Sequence, residues 1–182
     1  YGFTIIMVGA LGPLLVGAFP QGTLKKHTGT CSLSKYQSPV PSELEAVRMM
    51  KKQYELLTDR RCNIKLFHRK WKTAKLSVPD RVILAEAELD LAITVLTNST
   101  TQGLAEMSEQ PLAFFTQARE DLRHCMAVEA PSHQPSGKLK HWLQKLETAK
   151  KEETASCLED AAIIYIFEVL KDLRCAAQRE DC

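Results

Sequence analysis

The chain has 182 residues, with 24 Lys and Arg against 22 Asp and Glu and a formal net charge of +2. That length fits one domain with a sizeable core, and so even a balance leaves no electrostatic footprint for nucleic acid. Six cysteines make the redox compartment the first question, and the opening residues bear on it.

Phe3 to Ala18 is apolar and almost uncharged, and Val16-Gly17-Ala18 supplies the small residues that signal peptidase requires. Cleavage is predicted after Ala18, leaving residues 1–18 as a signal peptide and 19–182 as one mature domain that starts at Phe19. A transmembrane anchor is the alternative. Against it, the apolar run falls short of about 18 residues and carries Gly9, Gly12, Pro13 and Gly17. The chain opens on Tyr1 with no positive region ahead of the run, so the natural start is expected upstream. No second run of spanning length follows, so the product is expected to be secreted with its six cysteines paired.

Phe19 to Val40 has Pro20, Gly22, Gly29 and Pro39 and no periodicity; it reads as an extended leader tied down by Cys31. Ser42 and Glu45 form a capping box that opens a helix over 42–58, with Leu44, Val47, Met50, Tyr54 and Leu57 as its apolar stripe. From Thr58 to Ser77 no period holds. A loop so long needs a function or a strap, and Cys62 near its start supplies the strap, while Leu66, Phe67 and Trp71 give it apolar weight. Ser77-Val78-Pro79-Asp80 starts a helix over 79–97 with Pro near its first position; Val82, Ala85, Leu89, Ile93 and Leu96 line one side, and Leu84, Leu91 and Val95 thicken it into the most buried helix.

Asn98-Ser99-Thr100 is an N-x-[ST] sequon, so a glycan on Asn98 is expected if the chain is secreted; an unmodified loop is the alternative. The next helix is expected to start at Ser108 and Pro111 and to run through Leu112, Phe115, Ala118, Leu122, Cys125 and Met126 until Pro131, Pro135 and Gly137 end it. A short helix then follows from Lys138, with Leu139, Trp142, Leu143 and Leu146 inward. Its Lys138, Lys140, Lys145, Lys150 and Lys151 face outward, either as a solvated face or as a binding run for heparan sulfate.

Ser156 and Glu159 form a capping box for a last helix that runs towards Cys182. Leu158, Ala162, Tyr165, Ile166, Val169 and Leu173 form one stripe; Ile163, Phe167 and Leu170 form a second. Two apolar faces mean a helix buried all round or one covered by another protein. Phe167 is expected to point outward as an interface anchor, or else to lie buried beside Trp71.

No catalytic arrangement emerges. The sequence lacks G-x-S-x-G, H-E-x-x-H, a Gly-rich phosphate loop and C-x-x-C, and the five histidines, His27, His68, His124, His133 and His141, show no helical ligand spacing. A zinc site from His124, His133 or His141 with Cys125 is the only metal reading these residue types allow, and no cofactor is implied.

Four main helices, two long crossovers and no alternating strand match the all-α, up-up-down-down plan of secreted helical cytokines. Arg81 to Leu96, containing AEAELDLAITVL, resembles the central helix of the type III interferons, or interferon lambda. Glu109-Gln110-Pro111-Leu112 resembles that family's D-Q-P-L helix start, and Gly137-Lys138-Leu139-Lys140-His141-Trp142-Leu143 its G-R-L-H-H-W-L. Lys150-Lys151-Glu152 followed by Cys157-Leu158-Glu159 is similar to its K-K-E-S and G-C-L-E-A, and Arg61-Cys62 with Leu66-Phe67 and Trp71 to its first crossover. The likeness runs from Cys31 to Cys182 and is strongest to the avian form.

The resemblance implies an antiviral class II cytokine, not an enzyme, acting as a monomer through a two-chain receptor: a lambda-specific chain and the shared interleukin-10 receptor beta chain. Janus kinases and STAT factors would carry the signal. The specific-chain contact is implied on the first helix, first crossover and last helix, and the shared-chain contact mostly on the first helix and the Ser108 helix; Pro41, Leu44, Arg48, Lys51, Ile164 and Phe167 are the receptor-binding residues here, of which Phe167 is expected to meet the specific chain. Six cysteines allow about 15 pairings. If the Ser108 helix and the last helix run antiparallel to the first, Cys31 pairs with Cys125, Cys62 with Cys157 and Cys175 with Cys182, and the family pattern agrees. The other reading is a secreted lipid-binding or hydrolytic helical protein on the same six-cysteine framework.

Overall fold

The computed structural model describes residues 30–59 and 62–182. The predicted signal peptide, the cleavage after Ala18, most of the leader, and Arg61 of the crossover resemblance lie outside the described residues. Six α-helices follow one another: α1 (Pro41–Leu57), α2 (Val78–Thr97), α3 (Leu104–Glu129), α4 (Gly137–Glu152), α5 (Ala155–Ile164) and α6 (Ile166–Gln178). No strand occurs among the described residues. Side-chain pairs across the helices fix their directions. Arg119 on α3 meets Asp90 on α2 at 3.0 Å and Arg123 meets Glu86 at 2.8 Å, so α2 and α3 are antiparallel. Thr101, just beyond α2, donates to Glu159 near the start of α5, while Glu88 in mid-α2 and Asp172 on α6 share Arg69. The α5–α6 pair therefore descends along α2. Gly103, before α3, sits beside Leu57 at the end of α1, and Tyr36, before α1, reaches Asp121 late in α3, so α1 and α3 are antiparallel too. The order is up-up-down-down, the all-α plan expected from the sequence.

Helix α4 climbs beside α2, from Ser136 at Asp80 to Lys150 near Asp90, and returns the chain to the top for its last descent. It is four and a half turns, not a short helix, because Leu139, Trp142 and Leu146 all reach the core. Its opposite side is solvated.

Local chemistry explains where the helices begin and why several starts differ from the sequence-based expectation. Ser77 caps α2 by accepting the Asp80 amide at 3.3 Å. Ser42 does not cap α1. Val40 occupies that position with no side-chain bond, and Pro41 takes the first helical place, where its missing N–H is no loss. Helix α3 starts at Leu104, after Gly103 in a left-handed conformation at φ 82°, and Pro111 lies within it instead of opening it. Ser108 is buried there, its hydroxyl donating to the Ala105 carbonyl at 3.2 Å. Thr154, not Ser156, caps α5, accepting the Cys157 amide at 3.2 Å, and Glu159 is buried.

The last helix is two helices. At Tyr165 the amide bonds the carbonyls of Ala161 and Ile163 together, ending α5. The ring of Tyr165 stacks on Phe67 of the crossover at 5.5 Å, so it covers the strap instead of joining the central stripe. Leu158, Ala162, Ile166, Val169 and Leu173 are buried as one face, and Ile163 and Leu170 of the second stripe are buried as well. The helix pair is thus central and enclosed on nearly all sides, packed with Tyr54, Leu84, Leu89 and Phe115 in a single core.

Disulfides join Cys31 to Cys125, Cys62 to Cys157 and Cys175 to Cys182, at Cα separations of 4.6, 5.5 and 4.9 Å. The first two tie opposite ends of α1 to the two descending helices.

Candidate functional site

Helix α1 exposes two flanks. At 100° per residue, Pro41, Leu44, Arg48 and Lys51 fall within an arc of about 80°. Pro41 and Arg48 are exposed, Arg48 paired with Glu45 one turn back; Leu44 is half-buried against the core. Lys51 reaches Glu55 at 3.7 Å and lies over the ring of Phe167, 5.9 Å from its centroid. Phe167 itself is half-buried and packs on the core. It does not stand free in solvent, because it packs on the core and the Lys51 ammonium lies over its ring. Ile164, the last residue of α5, is also half-buried. The fold therefore brings Lys51 and Phe167 together; Pro41, Leu44 and Arg48 share a face of α1 with Lys51, and Ile164 ends α5 just before the helix that carries Phe167.

The second flank of α1 meets α3. Ala46, Met49 and Met50 face Met107, Gln110 and Ala113 across a groove of about 620 Å³. Met49 is 44% exposed, and at the end of α1 Leu56 is 72% exposed. Local periodicity assigns Met49 and Leu56 no role. They lie outside the core stripe, and only the packed neighbour α3 makes Met49 part of one wall of a groove.

Behind the first flank, the crossover is anchored by buried charge. Arg69 donates to Asp172 on α6 at 2.5 Å and to Glu88 on α2, and Thr73 donates to Asp172 at 2.5 Å. The same guanidinium lies 5.1 Å from the Trp71 ring and 5.5 Å from Trp142. Burial holds Glu88 well above the usual carboxylate range and the nearby Asp172 adds to this, against the opposing pull of Arg69. Although burial disfavours its charge, Arg69 is raised, because Glu88 and Asp172 outweigh that cost. Asp172 is spent inside the protein. No local signal marks this triad, since its three members lie in three elements up to 103 residues apart.

Arg81 secures the end of the crossover, donating to the Leu76 and Ala74 carbonyls at 3.1 and 3.0 Å. Asp80 accepts from His133 at 2.8 Å and from the Ser136 amide at 3.1 Å, which pins the α3–α4 loop to the start of α2. His133 is thus engaged with a carboxylate and Cys125 with Cys31. Among the described residues no group of His, Cys, Asp and Glu could hold a metal ion, so the zinc reading has no site there. Asn98 is exposed at the C-terminus of α2. No described helix is long and apolar enough to cross a membrane.

An up-up-down-down bundle tied by disulfides, with its longest crossover strapped across the central helices and open flanks on its first helix, is a helical cytokine of class II. The family described as Interleukin-28A matches residues 28–179. The chain is 71% identical to Interferon lambda-3 of Gallus gallus over 185 residues, covering 100% of this chain and 98% of that protein. It is 33% identical to Interferon lambda-2 of Mus musculus over 158 residues (84% of this chain, 82% of that one) and 28% identical to Interferon lambda-1 of Homo sapiens over 186 residues (99% and 93%). The chain belongs to the type III interferon, or interferon lambda, family, in its avian form. It is a cytokine and not an enzyme, which sets the hydrolytic alternative aside, and membership implies a class II cytokine receptor as its partner.

Proposed function

We propose that this chain is a secreted antiviral cytokine that brings together the lambda-specific receptor chain and the shared interleukin-10 receptor beta chain, and signals through Janus kinases and STAT factors to interferon-stimulated genes. The observation that carries the reading is that α1 offers two separate open flanks. The Pro41, Leu44, Arg48 and Lys51 flank, continued by Ile164 and Phe167, suits the specific chain. The methionine groove between α1 and α3 suits the shared chain. A monomer is sufficient, because one copy presents both.

The Lys51–Phe167 contact supports an anchor role: an aromatic held by packing loses little freedom on binding, and aromatic residues dominate interface hot spots. Export through cleavage after Ala18 belongs to the same reading. The deciding experiment applies purified protein to reporter cells carrying both receptor chains, either chain alone, or neither. A response confined to cells with both is expected, and a response in cells lacking the specific chain overturns the proposal.

A further inference from the structure

The net charge of +2 conceals a segregation. Residues 62–77 and 137–146 together hold eight Lys and Arg and no Asp or Glu, so the rest of the chain carries sixteen against twenty-two, a net of −6. The fold lays these two segments side by side. Trp142 on α4 donates its indole N–H to the Leu66 carbonyl at 3.2 Å, and the Lys145 ammonium donates to the Lys65 carbonyl at 3.0 Å. On α4, Lys138, His141 and Lys145 follow at i, i+3 and i+7, one stripe on the side that meets the crossover, and all three are exposed. Lys65, Lys70, Lys72 and Lys75 are exposed along the crossover.

Elsewhere on the described surface many cations are paired, and those without an ion pair, Lys52, Lys151, Lys171 and Arg174, belong to neither segment. Lys35, Lys51 and Lys150 sit on carboxylates, as do Arg119, Arg123 and Arg179. Among the described residues none of Lys65, Lys70, Lys72, Lys75, Lys138 and Lys145 has an ion pair. Arg69, the one described crossover cation with acidic partners, is turned inward to Glu88 and Asp172. The result is a row of ammonium groups without ion pairs on α4, met at Lys65 by a second that continues along the crossover, and a bound polyanion would relieve their mutual repulsion.

We infer that the crossover–α4 face binds a sulfated glycosaminoglycan lying along these two rows. Lysine suits such a ligand, because a flexible point charge follows sulfate groups at irregular spacing, where a rigid guanidinium fork would demand one geometry. A single-stranded nucleic acid would also need aromatic platforms for its bases. The two tryptophans of this face are not free to serve, since Trp142 is buried and Trp71 is covered by Arg69. None of the six receptor-binding residues lies on the two rows, although the crossover is itself among the elements implied for the specific chain, so receptor affinity of each variant is read beside heparin binding.

The test is binding of the full chain to immobilised heparin across a salt series. A triple variant, Lys65→Ala, Lys138→Ala and Lys145→Ala, is compared with a charge-matched control, Lys52→Ala, Lys140→Ala and Lys151→Ala. All six side chains are exposed, so both variants keep the fold. The first is expected to lose about tenfold or more in affinity and to lower the salt dependence by about two to three released counterions, while the control stays within about twofold of the parent. Equal losses in the two variants would overturn the inference. So would absence of heparin binding at about 0.15 M salt, or equal or tighter binding of a single-stranded oligonucleotide of matched charge. Signalling on receptor-positive cells that lack glycosaminoglycans is read in parallel, and its retention keeps failure of this inference distinct from failure of the receptor reading.

Discussion

The ammonium of Lys51 on α1 lies 5.9 Å from the ring centroid of Phe167 on α6, joining the two elements that border the first receptor flank. Phe167 is neither an isolated surface aromatic nor a sealed core residue. Phe167→Ala is therefore expected to act on both binding and stability. Affinity for the lambda-specific chain should fall at least about tenfold, near 1.4 kcal/mol. The stability loss should stay below the 3 to 5 kcal/mol or so of a fully buried Phe. Receptor titration and thermal melting on one variant check this, and unchanged affinity would remove Phe167 from the binding surface.

Arg69 neutralises two buried carboxylates from different helices. Arg69→Met should destabilise the fold by roughly 3 to 5 kcal/mol, since it leaves Glu88 and Asp172 without their cation. Adding Glu88→Gln and Asp172→Asn to Arg69→Met should restore a good part of the loss, because no uncompensated charge then remains inside. Urea unfolding of the single and triple variants measures the difference.

The carboxylates predict opposing pH effects. Glu88 is raised in the folded state, so its contribution is fully present below the unfolded value, about 4.3, and is lost as pH rises through the higher folded value. Asp80 is lowered: burial alone would raise it, but the bonds from His133 and Ser136 prevail. Its contribution is present above its unfolded value, about 3.9, and is lost as pH falls through the lower folded value. Stability should thus rise as pH drops from neutrality towards about 5 and fall steeply below about 4. Glu88→Gln should flatten the upper limb and leave the lower one, as read from urea midpoints against pH.

Non-reducing peptide mapping should recover Cys31 with Cys125, Cys62 with Cys157 and Cys175 with Cys182. The first two close loops with sequence separations of 94 and 95, the third only 7. In the chain-entropy view each long bridge contributes about 4 to 5 kcal/mol and the short one about 2.5. Replacing Cys62 and Cys157 together by Ser should consequently lower stability by about 2 kcal/mol more than replacing Cys175 and Cys182.

Asn98 is exposed beyond the last turn of α2. Protein made in a secretory host should carry a glycan there that Asn98→Gln removes, seen as one mass step after glycosidase treatment. An unshifted parent mass would show an empty sequon.

How far the sequence carries depends on the range of the interactions. Helix α2 was legible almost to the residue, because Ser77, Pro79 and an unbroken apolar run are all local signals. The start of α3 was not. A proline at a helix interior costs stability wherever it occurs, so Pro111 read as a beginning, and only the packing of buried Leu104 and Ser108 shows why the helix extends a further two turns upstream. The break at Tyr165 was equally hidden, since its stacking partner Phe67 is 98 positions away. For the candidate site, Lys51 and Phe167 were named without the contact between them, and the Met49 groove was missed because its second wall belongs to α3.

The bridges at Cys31 and Cys62 have a topological effect. Copies of a helical protein can exchange an element by opening a hinge and docking it into a neighbour. Helix α1 begins ten residues after one bridge and ends five before the other, each bridge leading to a helix of the opposite direction. It is sewn into closed covalent rings. The oxidised chain has no free end with which to lend α1 to a second copy, and only reduction reopens that route to an interlocked dimer.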